Sequence, residues 1–447
     1  MSPYQPVIPF GKQFREEFFT LLDHEVTPVN HGSYGLTPTP VLNKFIECIR
    51  DENKFPDKFV KVRQQAEYIH SIKIIAEEVL KCDYHNLAIV DNATSAVNTI
   101  LRLYPFEKGD KIVMPSTVYE SCGNTVKFLQ KNIGIVPVYV ELEYPLSDDD
   151  IVNKFEKVFQ GSSIKLCLFD VIISNPGIRF PFERLTKLCQ KYKVLSLIDG
   201  AHSVGILPMD LGVLKPDFYT SNLHKWLFVP RGCAILYVGS KHFSSIETMP
   251  IGHVFVDSED SLSYPPEMEL IEKFKFVATK TFAQVSCIEA AINFRRNACV
   301  GESTIYEYCN DLCHKVGLLI TKDKWHGMSI LNDGFDTVTT MINIEVPIDN
   351  IAKRENIVMD NSSTEQQVKF LRFSRTFIEQ EMINKYHTFI PMFYHHGKLY
   401  ARFSCQIYNE LDDYDYASDV VLKVLKSLFN SDMFTKWYNE QNGSGKE

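Results

Sequence analysis

The feature that most constrains this chain is an alternation between residues 87 and 238. Short apolar runs of strand length, at 87–90, 111–114, 135–142, 165–169, 194–198 and 233–238, are separated by stretches whose apolar residues return at helical spacing. Strands and helices in alternation imply a largely parallel sheet covered on both faces, hence an α/β fold. Residues 183–192 are one expected crossover helix, with Leu185, Leu188 and Cys189 on one face after Pro181. Ligands of such sheets settle at the carboxyl ends of the strands, so every loop that follows a strand is a candidate site.

Beyond about residue 284 the texture changes. Helices are expected at 284–296, 303–321, 365–384 and 417–429, with strands near 338–346 and 398–407, which reads as a smaller α+β domain. The expected organisation is an N-terminal segment 1–45 joining that small domain, a large domain 46–290, the small domain 291–435 and a disordered tail 436–447. The polar stretch 348–363 reads as a loop or edge.

Charge narrows the partners. Forty-seven basic against 56 acidic residues leave a net charge of −9, with no block of five like charges, so nothing marks a nucleic-acid or anionic-membrane surface. The apolar runs fall far short of the roughly 20 residues a membrane span needs. Residues 1–15 lack a basic stretch followed by an apolar one, and Glu16-Glu17 oppose a transit peptide, so a cytoplasmic location and a small soluble substrate are expected. Eleven cysteines, an odd number, lie mostly in apolar runs and suit a reducing compartment. Cys309 and Cys313 are one helical turn apart, but only His314 is near as a third ligand, and no metal is assigned.

The chemistry starts from two residues. The strand 194–198 runs into Asp199-Gly200-Ala201-His202, placing a carboxylate where a bound cofactor would meet it. Lys225 stands between Leu223-His224 and Trp226, in surroundings that would lower its pKa and favour Schiff-base formation. Singly these have bland readings, a turn aspartate and a lysine lying along an aromatic ring. Together they are the pair a pyridoxal phosphate enzyme needs: the lysine holds the aldehyde, and the carboxylate keeps the ring nitrogen protonated.

With Asp199-Gly200-Ala201-His202 and His224-Lys225-Trp226, four further segments share one order: 30–35 (NHGSYG), 92–96 (NATSA), 174–177 (SNPG) and 402–409 (RFSCQIYN). In these the chain resembles the class V aminotransferases, fold-type I pyridoxal phosphate enzymes, and within them the branch of isopenicillin N epimerase-like proteins and fungal hercynylcysteine sulfoxide lyases. The resemblance implies a large domain with a mostly parallel seven-stranded sheet, a smaller α+β domain, and a homodimer with active sites at its interface. It also implies a set of roles. Ala93, Thr94 and Ser95, at a helix N-terminus able to cradle a phosphate, would join Asn222 and His224 in the phosphate cup. Thr279 would reach that cup from the partner, although Ala278 stands where the family usually has glycine. Tyr119 would stack on the pyridine against Ala201, His202 would bind the cofactor, and Ser174 would meet its phenolic oxygen. Arg402 would clamp the substrate α-carboxylate, with the Asn30 to Gly35 turn closing over it and Asn30, His31 and Gly32 as its substrate contacts. Read from alternation alone, Arg402 is an outward strand arginine and the 92–96 segment an ordinary N-cap.

Lys225 would also be the base that removes the substrate α-proton. Elimination of a β-substituent, transamination and epimerisation all remain open from there. Persulfide transfer is opposed, because no cysteine lies between Cys313 and Cys405. The resembled branch favours carbon–sulfur cleavage of a cysteine conjugate or its sulfoxide, as in the last step of ergothioneine formation, with Tyr119 as acid to the departing sulfur. An aminotransferase or an epimerase is the alternative. A Rossmann dehydrogenase lacks its Gly-x-Gly-x-x-Gly, and intact Asp199 and Lys225 oppose a silent relative.

Overall fold

The computed structural model describes residues 6, 8–255, 264–334, 336–355 and 364–443. A seven-stranded sheet holds β1 (Leu87–Val90), β2 (Lys111–Pro115), β3 (Val136–Val140), β4 (Leu166–Asp170), β5 (Leu195–Asp199), β6 (Phe218–Asn222) and β7 (Ala234–Val238), in the order β1-β7-β6-β5-β4-β2-β3. The contiguous set β3-β2-β4-β5-β6 is parallel, and β7 runs antiparallel to both β6 and β1. Central strands β4 to β7 are almost wholly buried, as parallel strands with helices on both faces must be. Strand β6 is absent from the apolar runs of the sequence. Its Tyr-Thr-Ser-Asn composition reads as polar, yet Thr220 and Ser221 are buried and hydrogen-bonded, Thr220 Oγ1 donating to Ile235 O (2.8 Å) and Ser221 Oγ to Gly200 O (2.7 Å).

A second sheet, β8 (Met341–Glu345), β9 (Met392–His395) and β10 (Lys398–Ser404), is antiparallel in the order β8-β10-β9 and builds its own apolar cluster with the helices Thr364–Tyr386 and Leu411–Phe429. The N-terminal segment is tied to this side, Ser404 N donating to Val29 O (3.0 Å) and Asn409 Nδ2 to Pro28 O (2.7 Å). Within the stretch expected as loop, Ile348–Arg354 is helical, and 356–363 lies outside the described residues. The expected disordered tail is corrected as well. A helix Asp432–Gly443 continues past residue 435, because Phe434 buries against Phe429 and Trp437 stacks on Phe373 at 5.3 Å; residues 444–447 lie outside the described set. Among the described residues no helix is long and apolar enough to cross a membrane.

Candidate active site

The carboxyl ends of β4, β5 and β6 and the N-terminus of the helix Ala93–Leu103 border one cleft of about 180 Å³. Asp199 closes β5 and Asn222 closes β6, and the one-turn helix Leu223–Trp226 carries Lys225 back over the strand ends. Two glycines allow this close approach. Gly205, at φ +89°, passes so near the Trp226 carbonyl that a Cβ would sit 2.5 Å from it, and Gly35, at φ +67°, lies against the His224 carbonyl.

Lys225 is part-buried, and the loss of solvation around it lowers its ammonium to about 7, with the Arg402 charge adding to the effect and Asp199 opposing it. Its Nζ lies 3.2 Å from His202 Nε2. Burial pushes the Asp199 carboxyl up, while hydrogen bonds from Ala201 N (3.0 Å) and the Cys122 thiol (3.5 Å) favour its charged form. A cationic ring nitrogen at Asp199 would compensate that buried carboxylate. His202 is held well below the usual histidine range by burial, then by Lys225 and Arg402, and is neutral.

At the other end of the cleft Asn92 Oδ1 accepts from Ser95 N (2.8 Å) and caps the helix, while Asn222 Oδ1 accepts from Ala93 N (2.9 Å). Asn92, Ala93, Thr94, Asn222 and His224 line the cleft; Ser95, its N–H spent on the cap, does not. His224 Nδ1 donates to Cys233 O (3.0 Å), which turns its other nitrogen free. Tyr119, Ser174, Asp199, Ala201, His202 and Lys225 line the same space. Thr279 is exposed and outside its own chain's cleft.

Arg402 departs from the outward reading. It is 2% exposed, because β10 is the middle strand of its sheet and the loop after β4 covers its other side. Nη1 donates to Ser174 O (2.6 Å) and Oγ (3.3 Å), Nη2 to Asn30 Oδ1 (3.2 Å) and Ser33 Oγ (3.0 Å), and Nε has no partner. All these partners are neutral, and burial lowers the guanidinium to about 10. One expectation needs correction here. His31 faces away from the cleft: Nε2 donates to the Lys225 carbonyl (2.9 Å), Nδ1 accepts from Tyr408 Oη (2.8 Å), and the ring lies 4.9 Å from that of Trp226. Gly32 sits where a Cβ would meet Met341, Ser404 and Trp226 at 3.0–3.2 Å, so the turn packs closely there.

One cleft residue escapes the sequence reading altogether, while Asn92 and Ser33 belong to the segments 92–96 and 30–35 that it names. Asp170 ends β4 in register with Asp199, fully buried, and burial together with Asp199 pushes its carboxyl well up. Its signal was available, since an apolar strand ending in aspartate occurs twice, at 166–170 and at 195–199. A part-buried amine, a strand-end carboxylate and a helix N-terminus around one cleft, with a cation carrying an orphan donor behind its Ser33 and Ser174 lining, fit pyridoxal phosphate together with a carboxylate substrate.

The family model described as aminotransferase class-V matches residues 36–307, more than half of the chain. The chain belongs to the class V aminotransferase family. Its cofactor is pyridoxal 5'-phosphate, and it is a lyase or transferase of that family. The hercynylcysteine sulfoxide lyase of Schizosaccharomyces pombe is 28% identical over 413 residues, covering 92% of this chain and 97% of the relative. The L-cysteine desulfhydrase-like protein lolT1 of Epichloe uncinata is 29% identical over 453 residues, covering 95% and 98%. Among solved structures, the cystine C-S lyase C-DES in complex with cysteine persulfide has the same fold, with a TM-score of 0.69 at 16% identity over 90% of this chain and 98% of that one. The class V match thus covers residues 36–307, and the relatives similar to the chain include proteins described as carbon–sulfur lyases.

Proposed function

We propose that this class V enzyme is a carbon–sulfur β-lyase acting on an S-substituted cysteine or its sulfoxide, of the hercynylcysteine sulfoxide kind, with a role in ergothioneine formation. The observation that carries it is the charge pattern of the cleft. Arg402 is a buried cation without a carboxylate, suited to one α-carboxylate through the guanidinium fork. Asp170 and Asp199 are the ionisable acids lining the rest, so no second anionic group on the substrate is served. Tyr119, 45% exposed, lines the cleft, and Tyr34, 66% exposed, lies within electrostatic reach of it; the two would offer aromatic surface to a bulky substituent on sulfur. The near-complete coverage of the S. pombe lyase supports the same reading.

Bound pyridoxal phosphate supplies the electron sink that lets the Cα–H bond break. Arg402 orients the carboxylate so that Cα faces Lys225. Lys225 Nζ, uncharged above about pH 7, accepts the α-proton. Burial raises the Tyr119 phenol above its ordinary value, so it carries its proton at neutral pH and donates it as the Cβ–S bond breaks. One water is consumed overall, and thiol or sulfenic acid, pyruvate and ammonium leave. None of the eleven cysteines lines the cleft, which argues against a persulfide carrier. We further propose a homodimer in which Thr279 completes the partner's phosphate cup.

The test is pyruvate release by the cofactor-loaded protein from a panel of S-substituted cysteines and their sulfoxides, with Lys225→Ala as control. Lysine-dependent pyruvate, fastest with aromatic sulfur substituents, is the expected result. A loaded enzyme that exchanges the α-proton but yields no pyruvate from any member overturns the lyase and favours the aminotransferase or epimerase.

A further inference from the structure

Trp226 is conspicuous for donating its indole N–H to an active-site base. Nε1 lies 3.2 Å from His202 Nδ1, and both side chains are buried. An indole N–H can only donate, so Nδ1 must present a lone pair, which excludes both the imidazolium and the Nδ1–H tautomer. The proton of a neutral His202 then sits on Nε2, and Nε2 is the atom 3.2 Å from Lys225 Nζ. A donor facing Nζ requires a lone pair on the amine.

We propose that Trp226 is a positioning residue: it pins His202 as the Nε2–H tautomer, and His202 in turn donates to Lys225 Nζ and holds that amine neutral and nucleophilic. The other charged or titratable groups facing this pair are Asp199 from β5, Arg402 from β10 and the neutral ring of His31. Arg402 disfavours the ammonium and Asp199 favours it, so the His202 donor acts with the arginine and against the aspartate. The indole is itself fixed, packed at 4.9 Å against His31, whose own nitrogen holds the Lys225 carbonyl. The lysine, the histidine and the tryptophan that orders them thus come from two turns linked through β6. The choice of Lys225 as the reacting amine rests on the function proposed above, but the arrangement is a property of the protein before cofactor binds.

The experiment therefore uses the full-length apoprotein. Nitrogen-15 NMR of labelled histidine, with His202 assigned by its loss in His202→Leu, reads the tautomer; the pH dependence of acylation of Lys225, followed by mass spectrometry, reads the amine. The expected result is a protonated Nε2 and a bare Nδ1 in the parent protein. In Trp226→Phe the two nitrogens should average towards a tautomer mixture and the Lys225 titration should move up by about one pH unit, about a fivefold slower acylation near pH 7. In a His202→Leu background, Trp226→Phe should leave the titration where it was. A proton on Nδ1 in the parent, or an equal shift in both backgrounds, overturns the proposal, and the parent spectrum decides it even if Trp226→Phe does not fold. Failure of pyridoxal phosphate to form its absorbing adduct with Lys225 would instead overturn the cofactor role and leave the tautomer result standing.

Discussion

Two arginines of this protein are equally hidden and differ in everything else. Arg295 is 1% exposed, and each of its donors is matched: Nε and Nη2 to Glu302 (2.6 and 2.5 Å), Nη1 to Trp226 O (2.7 Å), Nη2 also to Gly205 O (3.1 Å). Arg402 is 2% exposed, meets neutral oxygens only and leaves Nε unmatched. Burial of a cation is costly unless a counter-charge accompanies it. The first arginine has its counter-charge within the fold, and Glu302 raises its pKa; the second is held below its ordinary value, and the substrate carboxylate proposed above would supply what it lacks. The difference separates a cation paired within the fold from one left without a counter-charge, although burial alone would class them together.

The strongest way to break this contrast is Arg402→Ala. It should lower kcat/KM for pyruvate release about a thousandfold, about 4 kcal/mol of transition-state stabilisation, while leaving the denaturation midpoint unchanged or higher. A stability loss matching the activity loss would place Arg402 with Arg295. Next in size is Arg295→Met, expected to cost about 3 kcal/mol in chemical denaturation by leaving two buried carbonyls without a donor. Turnover per folded molecule should fall far less than in Arg402→Ala. Smaller again is the effect of a simple monocarboxylate such as propionate. At ten times its dissociation constant it should stabilise the parent apoprotein by about 1.4 kcal/mol and Arg402→Ala by nothing measurable.

A separate expected signal is a pH dependence from Lys225. Its pKa is lowered to about 7 in the fold from 10.5, so between those values the unfolded chain binds more protons. Stability contributed at this site should therefore rise with pH from about 7 towards 10.5 and be flat below 7. The difference in unfolding free energy between the parent apoprotein and Lys225→Met, measured across that window, should carry this slope; a flat difference would mean that the amine titrates normally.

Much of the site is legible along the chain because its signals are local. Asp199 is marked by the apolar strand that it ends, and Lys225 by Leu223 and Trp226 beside it. The helix at Ala93 is marked by the strand before it and the apolar face after it. Strand β6 was harder to see, since Thr220, Ser221 and Asn222 have polar names and find their partners only in neighbouring strands and turns. Trp437 was hidden in a polar tail for the same reason, its stacking partner Phe373 lying far back in the sequence. His31 shows the limit of motif reasoning. It stands in the turn that meets Arg402, and one residue of helical rotation sends its ring behind Lys225 instead.

The sequence by itself determined the α/β alternation, the strand-end aspartate, the lysine and the family, because periodicity and turn chemistry act over a few residues and a motif keeps its order. Only the tertiary structure decided which arginine is paired and which is not, that Asp170 lies beside Asp199, and that Trp226 addresses His202. Those outcomes depend on burial and on hydrogen bonds between residues as far apart as Asn30 and Arg402, whose geometry exists only once the two sheets have packed around the cleft.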